Sequence, residues 1–224
     1  MIKNITNLGD AALYCDFGDK VNKEINLNVI NCFKNLQKAK IKGITNISPS
    51  YNKLIISFDL SEINFQNLKE KILKIKFDNF DYKKSDKIKI PVCCDEEFTL
   101  DLKRLTSKLN ISEEEIFKIF FNKDYYCYMT GFIAGMPFLG DINEKLRAKR
   151  LETPRVKVPK GSVGLTEQFC NIYTYESPGG WNIIGNTPLE IFNKNNQDDP
   201  ALINPGDKVK FKQITKEEYD KIKS

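Results

Sequence analysis

GFIAGMPFLG at residues 131–140, ETPRVKVPKGSVG at 152–164 and ESPGGW at 176–181 are the stretches that decide how this chain folds. Residues 131–206 around them hold nine of the chain's twelve glycines and seven of its nine prolines. Glycine tolerates positive φ and close backbone approach, while proline fixes φ and removes a donor. A third of a chain so dense in both reads as short strands joined by tight turns. Turns of that kind present backbone N–H groups to a ligand or partner. From Tyr125 onward the strand candidates run to Lys208–Ile214, entered through Pro205-Gly206-Asp207, and this pattern predicts a small β-barrel. Thr215–Lys223 reads as a surface helix.

Upstream the periodicity changes. Ala11–Phe17 reads as a strand. Residues 20–40 place Val21, Ile25, Val29, Phe33 and Leu36 on one helical stripe, which Gly43 is expected to end. Ile44–Ser48 and Lys53–Phe58 read as a strand pair around Pro49-Ser50-Tyr51-Asn52. Asn64 can cap a second helix carrying Phe65, Leu68, Ile72 and Ile75. Ile88, Ile90 and Val92 alternate as a further strand. The order β-α-β-β-α-β predicts a ferredoxin-like split βαβ layer. Residues 99–121 then read as a helical pair, with Ser112 and Glu115 forming a capping-box signature. The expected fold class is therefore α+β in two domains: an N-terminal ferredoxin-like α/β sandwich over 1–90, and a helical pair leading into the barrel over 91–224.

Composition excludes several functions. The 224 residues contain no histidine, which removes Ser-His-Asp and Cys-His nucleophile pairs, HExxH zinc sites and imidazole bases. The net charge of +5 is mild and its lysines are scattered, so nucleic acid is not the expected partner. No run of about 18 apolar residues predicts a membrane span. The N-terminus lacks the apolar stretch of a signal peptide, which with six cysteines free of CxxC spacing leads us to expect a cytoplasmic protein with reduced thiols. Vicinal Cys93-Cys94 reads as a strand end or a redox pair. Against 31 lysines stand Arg104, Arg147, Arg150 and Arg155, three of them within nine residues. An arginine kept in a lysine-rich chain suits planar, bidentate contact with carboxylate or phosphate, and equally a structural ion pair.

The ordered motifs resemble the family of the 5-oxoprolinase B subunit, which includes the Kip-type sporulation-kinase inhibitor and allophanate hydrolase subunit 1. They are Gly131-Phe132 with Gly135, Pro137, Leu139 and Gly140; Thr153-Pro154-Arg155; Val158-Pro159 with Gly161-Ser162-Val163-Gly164; Ser177-Pro178-Gly179-Gly180-Trp181; Gly185 with Thr187-Pro188-Leu189; and Pro205-Gly206-Asp207. Gly9-Asp10-Ala11-Ala12-Leu13, Phe17-Gly18 and Ile90-Pro91-Val92-Cys93 extend the resemblance through the first half. It implies a C-terminal barrel of cyclophilin type. It also implies a component that acts with the A and C subunits of 5-oxoprolinase in ATP-dependent opening of 5-oxo-L-proline to L-glutamate. The Walker A pattern GxxxxGK[ST] does not occur, so ATP is expected in a partner subunit or at an interface. The alternative is a regulatory protein that docks on a histidine kinase and inhibits it.

Where the family usually reads Gly-Phe-x-Pro-Gly-Phe-Pro-Tyr, this chain has Ala134, Met136 and Phe138. A frequent family histidine is Phe120, and the Gln-Thr-Gly-(Ile/Val)-Tyr-Pro run is Phe169-Cys170-Asn171-Ile172-Tyr173-Thr174. The candidate substrate or anion contacts are Arg155, Ser162, Ser177, Gly179 and Gly180. Phe132, Met136, Pro137, Phe138 and Trp181 are candidates for a pocket wall or docking surface. The alternatives are a bracing ion pair for Arg155, a turn cap for Ser162, and core packing for the apolar residues.

Overall fold

The computed structural model describes residues 2–78 and 87–223 and divides the chain into compact units of residues 1–84 and 85–224. In the first unit, β1 (Asn4–Asn7), β2 (Ala12–Asp16), β3 (Ile44–Pro49) and β4 (Lys53–Phe58) form an antiparallel sheet in the order β1-β2-β4-β3. Strict alternation in β2 and β4 turns Leu13, Cys15, Leu54, Ile56 and Phe58 to one face. That face packs in one core with Val29 and Leu36 of α1 (Lys23–Ala39) and Leu68 and Ile72 of α2 (Phe65–Lys74). Each such aliphatic side chain, fully buried, contributes about 1.5–3 kcal/mol.

The helices start where their caps are placed. Asn22 accepts from Ile25 N–H at 2.9 Å and Asn64 from Asn67 N–H at 2.9 Å, each cap contributing about 1 kcal/mol. Fully buried Asn26 ties α1 to the β3–β4 turn, donating to the carbonyls of Ser50 and Tyr51 at 3.0 and 2.7 Å. α1 stops earlier than expected, at Ala39, with Lys40 taking the left-handed C-cap conformation at φ 44°.

One expected strand belongs elsewhere. β5 (Ile88–Cys93) is not the last strand of the N-terminal layer, and the boundary falls at 84/85 instead of 90/91. β5 pairs in parallel with β13 (Lys208–Ile214), from Val209↔Ile88 to Ile214↔Cys93. The fourth strand of the first sheet is β1, whose sequence NITN buries only Ile5 and so carries no alternation signal.

The second unit is built on a closed barrel. Its further staves are β6 (Asp124–Thr130), β7 (Pro137–Gly140), β9 (Ser162–Thr166), β10 (Phe169–Ile172) and β12 (Asn182–Asn186), in the cyclic order β10-β7-β6-β13-β5-β12-β9. Ile90, Val92, Cys127, Leu139, Val163, Leu165, Cys170, Ile184, Val209 and Phe211 belong to its core. α3 (Leu102–Leu109) and α4 (Glu113–Phe121) add Leu105, Ile116 and Phe120 to the same core. Phe120, at the family's histidine position, stacks on Phe211 at 5.0 Å, and its carbonyl accepts from the Tyr125 hydroxyl at 2.8 Å. Cys170 lies in the core while Phe169 meets Tyr128 edge-on at 5.5 Å, so the Phe-Cys departure repacks a stave. α5 (Lys216–Lys223) buries Tyr219, whose hydroxyl donates to Asn186 Oδ1 at 2.8 Å. No described helix is long and apolar enough to cross a membrane.

Candidate functional site

β8 (Arg155–Val158) and β11 (Ser177–Gly179) form a separate two-stranded antiparallel ribbon. The motifs converge where this ribbon lies against the barrel. Val158 shares a small buried cluster with Met136, Tyr173 and Ile183, flanked by Ile133 and Phe138. Trp181 is 9% exposed and meets Phe138 edge-on at 5.5 Å. Two glycines permit the close fit. A Cβ at Gly179 would overlap the Tyr173 hydroxyl, and one at Gly164 would lie 2.8 Å from Asn171 Oδ1 and 3.0 Å from Trp181 Cβ.

The ribbon is held by a bidentate ion pair. Arg155 donates from Nη1 to Asp101 Oδ2 at 2.9 Å and from Nη2 to Oδ1 at 2.8 Å. Asp101 is 3% exposed, stands just before α3 and also accepts from Ile183 N–H at 2.8 Å. One carboxylate thus ties together helix, stave and ribbon. Arg104 on α3 points Nε at the same carboxylate from 3.8 Å, too far for a hydrogen bond. Its buried Nε and Nη2, the two donors of the side-on guanidinium fork, find no partner among the described residues.

Beneath the ribbon lies Tyr173. Two residues before it, the Asn171 side-chain amide donates to Met136 Sδ at 4.0 Å. Burial pushes the Tyr173 hydroxyl above its ordinary range, and the nearby Asn171 side chain, the Trp181 backbone N–H and the charges of Arg150 and Arg155 only partly oppose the shift. Tyr173 is therefore a neutral phenol across the physiological range. Asn171, fully buried, leaves Oδ1 without a hydrogen-bond partner among the described residues, as does Ser177 at Oγ. An unpaired buried polar atom costs about 1–3 kcal/mol, so such groups need a compensating role. Together these residues can bind and polarise a small polar molecule, with positive charge nearby.

Of the residues singled out in the sequence, Arg155, Ser177, Gly179, Met136, Phe138 and Trp181 meet here, with Gly180 bonded through its carbonyl to Leu151 N–H at 2.7 Å. Arg155 spends its fork on Asp101, the ion-pair alternative of the sequence reading. Ser162 is buried on β9 opposite Asn186, and its carbonyl accepts from Tyr173 N–H at 2.9 Å. Pro137 is buried at the start of β7. Phe132 stands apart in a loop, 68% exposed at φ 68°. Sequence reasoning missed Asp101, Asn171 and Tyr173 as site residues. Asp101 carries no motif, and Asn171 and Tyr173 stand in the run where the chain departs from its family.

Other chemistry-bearing groups lie elsewhere. A hollow of about 420 Å³ is lined by Cys94, Glu96, Thr99, Leu100, Leu102, Lys103 and Glu113. Burial pushes the Cys94 thiol up to about 12, and Cys93 Sγ instead donates to Asp95 Oδ1 at 3.3 Å. The vicinal pair is present as two free thiols at a strand end.

The second unit is thus a closed barrel with α3 and α4 packed into its core and a separate ribbon lying against it. The model of the carboxyltransferase domain, subdomain C and D, matches residues 3–203, and the chain belongs to this family. It is 32% identical over 234 residues to the 5-oxoprolinase B subunit of Bacillus subtilis (strain 168), covering 98% of this chain and 96% of that protein. The solved structure of TTHA0988 superposes with a TM-score of 0.83 at 28% identity, over 91% of this chain but 40% of that one. The Kluyveromyces lactis urea carboxylase gives a TM-score of 0.76 at 20% identity over 96% of this chain and 22% of the other, a likeness of fold alone. The family resemblance drawn from the motifs is thus confirmed.

Proposed function

We propose that the chain is a non-autonomous component of an ATP-dependent 5-oxoprolinase, acting with the A and C subunits of that enzyme to open 5-oxo-L-proline to L-glutamate. The observation that carries this reading is similarity, over almost the full length of both chains, to a protein named as the B subunit of 5-oxoprolinase. Two further facts support it. The same unit occurs inside longer chains, as in TTHA0988, which fits a module that works beside a partner. The polar face under the ribbon offers a neutral phenol and nearby guanidinium groups, suited to an acidic small molecule.

A lactam resists water because its nitrogen delocalises into the carbonyl, and ATP supplies the activation of the amide oxygen that overcomes this. The chain itself does not fit a triphosphate by the usual device, since GxxxxGK[ST] does not occur in it. We therefore assign ATP to a partner subunit or an interface and route none of this chain's chemistry through it. The chain's part is positioning and electrostatics, which is where most catalysis of this type originates. Exposed Phe132 and Val156, 68% and 80% accessible, are available for partner contact. Purified chain alone is expected to be inactive, and adding the A and C subunits to restore 5-oxoproline-dependent ATP hydrolysis. Full activity of those two subunits without this chain would sink the proposal.

A further inference from the structure

Ile44 and Ile47 on β3 stand three residues apart, a spacing that in a regular strand sends side chains to opposite faces. A register shift against β4 between Ile44 and Asn46 absorbs one residue, and both isoleucines pack against the same core. Beside them, where the end of α1 meets β3, lies a hollow of about 300 Å³ with Leu36, Ile41, Ile44 and Ile47 as its apolar lining. The rest of its lining is polar and includes one cation, Lys40, and no carboxylate.

β3 is an end strand of its sheet, and among the described residues it pairs with β4 alone. Antiparallel ladders alternate, and the bond from Ser50 N–H to the Lys53 carbonyl at 2.9 Å sets their phase here. Asn46 and Ser48 then turn their backbone groups to β4, while Ile47 and Pro49 turn theirs away from it. Proline fits such a position because it has no N–H to leave unpaired. Ile47 keeps both an N–H and a carbonyl pointing off the sheet, next to the apolar hollow. Sheet edges are commonly blunted by bulges, proline or charge. Here the bulge comes before Asn46 and the proline after Ser48, so Asn46–Ser48 stays open to pairing.

Charge selects what can pair there. Lys38 and Lys42 are neutralised by Asp78 at 2.7 Å and Glu62 at 2.6 Å. Lys40, exposed at the left-handed C-cap of α1, has no ion-pair partner among the described residues. A second copy of this edge brings another lysine and no carboxylate to meet it. We propose that the β3 edge is a docking site for an extended, acidic segment of a partner protein, which adds a fifth strand to the four-stranded sheet. The segment's backbone meets the N–H and carbonyl of Ile47, and an aliphatic side chain enters the hollow. A carboxylate further along the same face of the segment, at the two-residue period of a strand, reaches Lys40. This site lies in the first unit and does not rest on the proposed function.

The test is an NMR titration of the full chain with acetyl-Glu-Thr-Val-Thr-Val-Thr-Glu-amide. This peptide carries its valines and glutamates on one face and has the same sequence read in either direction. Acetyl-Lys-Thr-Val-Thr-Val-Thr-Lys-amide is the control. The acidic peptide is expected to shift the amides of residues 44–48 and to slow hydrogen exchange at Ile47. The control is expected to bind several-fold more weakly, the margin that one exposed charge pair provides. Ile47→Pro, which places proline where the backbone faces away from β4, is expected to abolish binding. Lys40→Glu, a change at an exposed side chain, is expected to reverse the preference between the two peptides. No shift in 44–48 with the acidic peptide, equal binding of both peptides, binding retained in folded Ile47→Pro, or an unchanged preference in Lys40→Glu would each overturn the site. A dimer of this chain that Ile47→Pro dissociates, with no peptide binding, would assign the edge to a second copy and overturn it as well.

Discussion

The two units of this chain spend their polar groups differently. In the first, the buried polar side chains are absorbed by structure: Asn26 holds a turn, and Asn35 donates to the carbonyls of Asn31 and Asp78. In the second, Arg104, Asn171, Ser177 and Asn182 all keep buried polar atoms without a partner among the described residues. The first unit follows the rule that buried polar groups are satisfied, and the second breaks it repeatedly on and beside one face. Departures of that kind concentrate where a protein must bind something. The difference separates a unit whose described buried polar groups are paired from the unit that holds the candidate site.

The comparison breaks first under a core deletion. Leu54→Ala in the first unit should cost about 3–4 kcal/mol, because Leu54 is fully buried between sheet and helices. Urea unfolding measures that cost. At a temperature where the variant stays folded, reconstituted activity should remain at the wild-type level, and its loss would tie the first unit to the site. Arg155→Ala comes next, at about 3 kcal/mol, near the lower end for a broken buried pair because Arg155 is 29% exposed. Its loss of stability should fall on the second unit, with hydrogen exchange accelerating in 155–158 and 177–179. Unchanged protection there would show that the pair does not hold the ribbon.

Gly179→Ala should cost about 1–3 kcal/mol through collision with the Tyr173 hydroxyl. Reconstituted activity should fall further than this stability loss explains, which kinetics below the unfolding temperature can separate. The smallest effect is acid titration of the first unit. Hydrogen bonds from Lys53 and from Gly18 N–H hold the Asp16 carboxyl below its usual range. Its stabilisation is complete above the unfolded value of about 3.9 and is lost as pH falls through the lower folded value. Asp16→Asn should flatten that part of the stability profile, and an unchanged profile would assign the acid sensitivity to other carboxylates.

Long, strongly periodic elements were legible in the sequence. The Leu54-Ile56-Phe58 alternation, the caps Asn64 and Ser112, and the turn into Lys208–Ile214 stand as read. β1 was not legible, because a four-residue polar edge strand has no periodicity. β5 was read as a strand but assigned to the wrong sheet, since a strand records how its faces are buried and not which neighbour it joins. The Gly-Pro motifs located the candidate site because close approach at Gly164 and Gly179 demands those residues. Asp101 was not legible at all. Its meaning comes from Arg155, 54 positions away, and pairings across that separation are set by the fold.

The chain's proposed role is to supply a binding face that an ATP-dependent partner needs for turnover. The direct test is 5-oxo-L-proline-dependent ATP hydrolysis by the A and C subunits, measured with and without this chain. We predict negligible turnover without it and restoration on its addition. Turnover by those two subunits that is indifferent to the chain would contradict the claim.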